Sequence, residues 1–143
     1  MGLRLPDLVT FLEDVAFSDI IKSMLTRKTE AIVHLYLIQG NDFASRDIGS
    51  PSDPYLIVTC GDFEFNDRDN YQDDQPNPKF TQRLDFPVSF PGAPPLVIEA
   101  YDYDLLFGDD LIGKTAIDLD DRFFNPKWQA IDEKPIESRE LYH

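Results

Sequence analysis

The chain has 143 residues, the length of one domain that can bury its own hydrophobic core. With 42% hydrophobic and 28% charged residues, it has the composition of a folded protein and not of a disordered one. Its net charge of -14, without a concentrated basic region, excludes nucleic acid as an expected partner. The same charge would repel an anionic membrane unless cations lie between the two.

Residues 1–30 are predicted to form a segment that precedes the domain. Between residues 7 and 25 the apolar side chains recur at roughly the spacing of one helical face, which predicts an amphipathic helix. These side chains are Leu8, Phe11, Leu12, Val15, Ile20, Met24 and Leu25. Residues 26–30 are polar and predict a short linker.

The cellular location is predicted from features that this sequence lacks. It contains no signal-peptide pattern and no apolar run of the roughly 18 residues that a membrane span requires. Its single cysteine, Cys60, cannot form an intrachain disulfide, which favours a reducing compartment. We therefore expect a cytoplasmic protein whose contact with a membrane is peripheral.

From residue 31 onward, short apolar runs alternate with turn signals at the spacing typical of a β-sandwich. We predict strands over residues 31–38, 55–60, 63–65, 80–88, 96–101 and 112–119, an edge strand near 139–142, and a short helix that starts near 120. The fourth strand is expected to end around Pro87, because proline cannot donate a hydrogen bond to a neighbouring strand. The acidic connection 66–78 is predicted to be solvated. The pattern as a whole predicts an all-β, antiparallel Greek-key sandwich.

Residues 101–113 combine four carboxylates with three large apolar residues in one short loop after a strand. The carboxylates are Asp102, Asp104, Asp109 and Asp110, and the apolar residues are Leu105, Leu106 and Phe107. Like charges repel and apolar side chains prefer burial, so a hard cation and a lipid surface would together satisfy both groups. The loop is not an EF-hand, because Phe107 occupies the position of its turn glycine and Gly113 that of its bidentate glutamate.

A second acidic loop, residues 47–55, also leads directly into a strand. If both loops lie at one end of a sandwich, they bring together Asp47, Asp53, Asp102, Asp104 and Asp110. These carboxylates would repel one another strongly when empty, so a divalent cation is the simplest way to stabilise the loops. Ligation by oxygen alone favours Ca²⁺ over zinc and other softer metals.

The two acidic loops together resemble those of a C2 domain. The resemblance rests on Asp47 and residues 52–55 in the first loop, and on residues 101–104 and 110–113 in the second. Further motifs are similar to a C2 domain of the ferlin family, at residues 67–71, 77–80, 109–113 and 117–124. The resemblance covers residues 31–143 and implies a C2-type sandwich of type II topology. Ferlin C2 domains of this type continue into a last strand, which we expect to lie beyond His143 in a longer protein.

The resemblance also implies two Ca²⁺ ions and the residues that hold them. The first ion would be held by Asp47, Asp102, Asp104 and Asp110. The second would be held by Asp53, Asp102 and Asp104. Main-chain carbonyls of Arg46 and Tyr103 would contribute further ligands. Asp109 matches no ligand position and is expected to be solvated.

The leading functional prediction is a Ca²⁺-dependent phospholipid-binding module, in which lipid phosphate oxygens complete the Ca²⁺ shell. An apolar tip would enter the acyl boundary of the membrane. The tip consists of Ile48 on the first loop and Leu105, Leu106 and Phe107 on the second. The alternative for Leu105 or Phe107 is that the side chain folds back into the core.

Two further functional classes are weighed against this prediction. The first is a structural or protein-interaction C2 domain of a larger assembly, with protein partners or further C2 domains, and without Ca²⁺-dependent lipid binding. The second is an enzyme, which we do not expect, since the sequence has no recognisable nucleophile, general base or substrate-pocket pattern.

Overall fold

The computed structural model describes residues 27–45 and 49–143, and the predicted N-terminal helix lies outside them. Within these residues six strands form two antiparallel sheets, accompanied by two short helices and a 3-10 turn at Arg68–Asn70. The strands are β1 (Thr29–Gln39), β2 (Pro54–Cys60), β3 (Phe63–Asn66), β4 (Lys79–Phe90), β5 (Leu96–Asp102) and β6 (Asp110–Ile117). The helices are α1 (Leu119–Phe123) and α2 (Pro126–Gln129).

The two sheets differ in size. The larger has the strand order β3-β2-β5-β6, and the smaller pairs β1 with β4. β2 and β5 are the inner strands of the larger sheet, and they carry Val58 and Ala100, which are fully buried. A short apolar run such as Leu56–Val58 is typical of a strand covered on both faces. The two inner strands of the larger sheet therefore lie within the packed core.

The core between the sheets follows from the two-residue period of a strand. On β4, Leu84, Phe86, Val88 and Phe90 are buried, while the residues between them are exposed or half-buried. Phe86 stacks on Phe63 of β3 with the ring centroids 4.4 Å apart, which joins the smaller sheet to the larger. Burying a side chain as large as Phe86 stabilises the fold by about 1.5–3 kcal/mol.

The prediction of an all-β antiparallel sandwich is confirmed, but individual bounds differ. β4 does not end around Pro87 and continues to Phe90. Pro87 lies opposite Ile32 in the register with β1, and β4 has no other partner strand among the described residues, so the missing N–H of proline is tolerated. β6 begins at Asp110 and ends at Ile117, earlier than predicted, because Asp110 already pairs with Asp102.

The predicted edge strand near residues 139–142 is present as a single bridge. Tyr142 and Lys114 of β6 exchange two backbone hydrogen bonds, with N···O distances of 2.8 and 2.9 Å. Leu141 packs over Gly113, where an added Cβ would lie only 2.8 Å from the Leu141 side chain. A glycine at position 113 therefore lets the C-terminal residues lie against the sheet.

Strand direction decides which connections meet. β2 starts at Pro54, which pairs with Asp102 at the end of β5, and Asp102 also pairs with Asp110 at the start of β6. The described residues 40–45 and 49–53 and the connections 67–78 and 103–109 therefore converge at one end of the sandwich, which we call the loop end. At the opposite end, Leu96 pairs with Ile117 and the chain enters α1. We call this the helix end.

Candidate metal centre

Asp102 joins two of the connections at the loop end. It is the last residue of β5 and is only 7% exposed. Its Oδ1 accepts a hydrogen bond from the backbone N–H of Asp53 at 2.8 Å, and the N–H of Tyr103 donates to the carbonyl of Asp53 at 2.9 Å. Ser45 Oγ lies 3.5 Å from Asp102 Oδ2. Asp53 and Asp102, both predicted ligands, are therefore held side by side.

Asp104 shapes the tip of the second loop. Its Oδ1 accepts hydrogen bonds from the N–H groups of Leu106 at 2.8 Å and Phe107 at 3.1 Å, so the chain turns tightly around this carboxylate. Gly108, with a φ of +85°, completes the reversal in a conformation that favours glycine. A single carboxylate oxygen fixes the turn, while Oδ2 of Asp104 has no hydrogen bond within the described residues.

The apolar side chains at the tip point away from the protein. Leu105 is 76% exposed, Leu106 80% and Phe107 89%. The alternative in which Leu105 or Phe107 folds back into the core is therefore wrong. Folding back is prevented by the turn around Asp104, which carries the three residues beyond the last contacts of the sheet.

Asp110 lies at the start of β6, directly opposite Asp102 in the register, and is exposed. Carboxylates at paired positions of neighbouring strands repel each other. The strand pairing thus places a like-charged pair beside the Asp104 turn. Tyr103, whose carbonyl is another predicted ligand, lies between Asp102 and Asp104.

Asp109 is not solvated, contrary to the expectation from the sequence. Its side chain is only 12% exposed and forms an ion pair with Arg68, with Nε 2.7 Å from Oδ2. The Tyr55 hydroxyl donates to the same oxygen at 2.5 Å, and the N–H of Asp104 donates to Oδ1 at 2.9 Å. Burial alone would raise the pKa of Asp109, but these hydrogen bonds outweigh it and lower the pKa.

Two aromatic rings, those of Tyr71 and Tyr103, pack beside the ion pair between Arg68 and Asp109. The Arg68 guanidinium lies over the ring of Tyr103, 4.7 Å from its centroid. The other stacking partner of Tyr103 is Tyr71, with centroids 3.9 Å apart and ring planes almost parallel. Arg68 and Tyr71 come from the connection 67–78, which was predicted to be a solvated link. Most of its residues are exposed, but these two side chains pack against the acidic loop.

A group of three carboxylates lies beside the predicted ligands. Carboxylate oxygens of Asp53, Asp73 and Asp74 all lie within 4.8 Å of one another, and the N–H of Asp74 donates to Asp53 Oδ1 at 2.8 Å. The charge of Asp74, followed by that of Asp53, raises the pKa of Asp73. Asp102, Asp104 and Asp110 do not form such a group within residues 27–45 and 49–143. The Asp73-Asp74 pair is visible in the sequence, but its distance from Asp53 is not.

The structure places some of the predicted site residues and not others. It holds Asp53 and Asp102 together, pairs Asp102 with Asp110, and places the Asp104 turn directly after β5. Arg46, Asp47 and Ile48 lie outside the described residues. The roles predicted for these three residues remain predictions.

Sequence comparison relates the chain to a known family of domains. Residues 31–135 match the C2 domain family. Fer-1-like protein 4 of Mus musculus is 35% identical over 99 residues, and myoferlin of Xenopus tropicalis is 35% identical over 100 residues. The alignments cover 69% and 70% of this chain but only 5% of each relative. They confirm the predicted similarity to a ferlin C2 domain.

Solved structures give the same fold. A structure of two C2 domains of extended synaptotagmin 2 is 30% identical with a TM-score of 0.55, covering 62% of this chain and 30% of that one. The calcium-bound form of these domains is 26% identical with a TM-score of 0.56, covering 62% and 34%. Human GIVD cytosolic phospholipase A2 in complex with an inhibitor is 17% identical with a TM-score of 0.56, covering 66% and 14%, and shows the fold alone. The predicted C2-type sandwich is confirmed.

Proposed function

Because the chain belongs to the C2 domain family, we propose that it is a Ca²⁺-dependent phospholipid-binding module of the ferlin type. One observation carries the proposal. Three exposed apolar side chains, Leu105, Leu106 and Phe107, extend from a turn that is built around the carboxylate of Asp104. An apolar tip on an acidic base is suited to a membrane surface only if a cation lies between the base and the lipid headgroups.

The residues proposed to hold Ca²⁺ offer oxygen ligands only, which suits a hard cation. The described ones are Asp53, Asp102, Asp104, Asp110 and the carbonyl of Tyr103. The remaining ones, the Arg46 carbonyl and Asp47, lie outside the described residues. Asp73 and Asp74 add carboxylates beside Asp53, which extends the acidic surface around the proposed site. When bound, Ca²⁺ would supply positive charge that lipid phosphate oxygens can reach.

Charge explains why lipid binding should depend on the metal. Five aspartates carry roughly -5, and two Ca²⁺ ions supply roughly +4, so metal binding nearly neutralises the charge of the proposed ligands. The protein as a whole stays acidic, with a net charge of -14 before the metal binds. Only the loop end would then approach an anionic bilayer, which fixes the orientation of the domain on the membrane.

The apolar tip would supply the remaining attraction. Full burial of a leucine or phenylalanine side chain is worth about 1.5–3 kcal/mol, which is an upper bound for shallow insertion. None of the helices in residues 27–45 and 49–143 has the length and apolar character needed to span a bilayer. We therefore propose a peripheral contact at the cytoplasmic side of a membrane, made through loops.

Cosedimentation with vesicles of phosphatidylcholine and phosphatidylserine tests the proposal directly. The chain should pellet with vesicles in Ca²⁺ and remain in solution with a chelator. Asp104→Asn should lose binding, whereas Asp121→Asn removes the same charge from α1 at the helix end and should bind normally. Phe107→Ser should weaken vesicle binding without changing Ca²⁺ affinity. Equal pelleting with Ca²⁺ and with chelator would contradict the proposal.

A second candidate function is a protein-interaction module within a larger assembly. It is favoured by the outer face of β1, where Ile32 is 57% exposed, Tyr36 60% and Ile38 45%. These apolar side chains flank the ion pair between His34 and Asp85, and together they form a surface that a partner can cover. Calorimetry decides between the two candidates, because the absence of any heat of Ca²⁺ binding at millimolar metal would support the second.

A further inference from the structure

One group of residues at the loop end supports the proposed ligands through side chains that are not themselves ligands, although the main-chain carbonyl of one member, Tyr103, is a proposed ligand. It consists of Tyr55, Arg68, Tyr71, Tyr103 and Asp109, and we call it the brace. Asp109 lies at its centre and receives hydrogen bonds from Arg68, Tyr55 and the backbone of Asp104. Arg68 and Tyr71, which both belong to the connection 67–78, pack against the ring of Tyr103. The brace therefore joins the loop 103–109 to two other parts of the sandwich.

The brace acts on two consecutive residues of the loop: Asp109 accepts a hydrogen bond from the N–H of Asp104, and Tyr71 stacks on the ring of Tyr103. Outside the brace, the N–H of Tyr103 donates to the carbonyl of Asp53. Asp110 follows Asp109 directly and begins β6. The backbone of each second-loop residue proposed as a ligand is thus fixed directly or is adjacent to a fixed group. Asp109 itself has both carboxylate oxygens occupied by these contacts.

We propose that the Asp109–Arg68 pair is a positioning device that holds the second loop in its Ca²⁺-binding conformation before the metal arrives. The inference rests on the proposed function. Without a bound cation, the carboxylates of Asp102, Asp104 and Asp110 repel one another and would spread the loop apart. The brace opposes this spreading by neutralising Asp109 and by attaching the loop to Arg68. A preformed site loses less conformational entropy when the ion binds, so its affinity is higher.

Arg68 allows positioning to be separated from simple electrostatics. A positive charge near a cation site repels the cation, so removing the Arg68 charge should strengthen Ca²⁺ binding if Arg68 acts only through its field. If Arg68 positions the loop, removing it should weaken Ca²⁺ binding. The two explanations predict opposite signs for the same substitution.

The experiment is a Ca²⁺ titration of the full 143-residue chain by calorimetry, with tyrosine-sensitised Tb³⁺ luminescence as a second readout. The variants are Arg68→Met and, as a matched control, Arg83→Met on β4, where the arginine pairs with Asp85 on the smaller sheet. We expect Arg68→Met to weaken Ca²⁺ binding about 10-fold, the typical cost of losing a residue that orients a metal ligand. Arg83→Met should bind like the wild type.

Three further variants complete the test: two replace an aspartate by asparagine, and one removes a tyrosine hydroxyl. Asp109→Asn and Asp69→Asn remove the same charge from the loop end, but Asp69 lies on the 3-10 turn, outside the brace. If the brace positions the loop, Asp109→Asn should lose clearly more Ca²⁺ affinity than Asp69→Asn. If thermal unfolding shows that Arg68→Met is not folded, Tyr55→Phe is used in its place. The Tyr55→Phe substitution removes only the hydrogen bond to Asp109. The expected result for Tyr55→Phe is a smaller loss of affinity in the same direction.

The Ca²⁺ titrations distinguish an error in the positioning role of the brace from an error in the proposed function. If the wild type binds Ca²⁺ and Arg68→Met binds equally or more tightly, the brace is wrong and the proposed function stands. Equal losses for Asp109→Asn and Asp69→Asn would also overturn the brace, because charge alone would explain them. If the wild type shows no saturable Ca²⁺ binding, both proposals fall.

Discussion

The two ends of the sandwich differ in the interactions that predominate. At the loop end, carboxylates accept hydrogen bonds from backbone N–H groups and from Arg68, while like charges lie side by side. At the helix end, Phe90 stacks on Phe123 with centroids 4.0 Å apart and contacts Phe124 edge-on at 6.2 Å. The stabilisation that comes from apolar burial does not require a ligand, whereas a cluster of like charges is stable only when a counter-ion offsets the repulsion. We therefore expect substitutions at the helix end to change mainly the stability of the fold, and substitutions at the loop end to change mainly the proposed binding of a cation.

The largest effect is expected from Phe90→Ala at the helix end. Phe90 is 4% exposed, and its removal leaves a cavity beside Phe123, which should destabilise the fold by about 3–5 kcal/mol. Chemical denaturation measures this loss. Phe124→Ala is the matched control, because Phe124 is 52% exposed and should cost far less. Ca²⁺ affinity of the folded protein should stay unchanged in both variants, and a change would mean that the two ends are coupled.

At the loop end, Asp110→Asn should change stability and metal binding in opposite directions. Removing the charge opposite Asp102 relieves a like-charge pair, so the metal-free protein should gain about 0.2–1 kcal/mol. The loss of a proposed ligand should weaken Ca²⁺ binding about 10–100-fold, or about 1.4–2.7 kcal/mol. Thermal unfolding with chelator and a calorimetric titration measure the two quantities. A metal-free variant that is less stable than the wild type would contradict this account.

The fold was largely predictable because side-chain period reports which face of a strand is buried. The alternation of Leu84, Phe86, Val88 and Phe90 specifies the inward face of β4 without knowledge of its neighbours. The end of β4 could not be predicted in the same way. Pro87 interrupts a strand only if its nitrogen faces a partner, and the sequence does not reveal on which side β1 lies.

The positions in the fold of the predicted site residues could be inferred where they lie next to strand ends, whereas long-range contacts could not be inferred. Asp53, Asp102 and Asp110 follow from the antiparallel order, because each lies where a strand begins or ends. The sequence predicts that Asp109 is solvated, because it matches no ligand position of the family pattern. Its actual partner, Arg68, is 41 residues away in the sequence, and no local pattern identifies such a contact.

A smaller effect is expected from Asp120→Ala at the helix end. The two carboxylate oxygens of Asp120 accept hydrogen bonds from the N–H groups of Gly92, at 2.6 Å, and Ala93, at 2.9 Å. Loss of both acceptors should cost about 1–2 kcal/mol of unfolding free energy. Asp121→Asn is the control, because its side chain does not hold this loop. If Asp120→Ala also lowered Ca²⁺ affinity, the helix end would not be independent of the loop end.

The smallest effect concerns the C-terminal residues, which run from the helix end to the middle of β6. Glu137 contacts Arg122 of α1 at 2.6 Å and Arg139 at 3.1 Å, and Arg139 donates to Thr115 on β6 at 2.9 Å. Burial alone would raise the pKa of Glu137, but the arginines lower it below its ordinary value of 4.5. A lowered pKa in the folded state means that the ion pair stabilises the fold above about pH 4.5 and ceases to do so as the pH falls through the lowered pKa.

Glu137→Gln should therefore destabilise the protein at pH 7 and have little effect at a pH below the lowered pKa of Glu137, where the wild-type carboxylate is also protonated. Because Glu137 is 41% exposed, solvent screening limits the loss at pH 7 to about 0.2–1 kcal/mol. Urea unfolding of both proteins at the two pH values measures the difference. An equal difference in unfolding free energy at both pH values would show that Glu137 acts through packing and not through its charge. An altered Ca²⁺ affinity would show instead that the C-terminal residues, which reach β6 through the bridge between Tyr142 and Lys114, are coupled to the loop end.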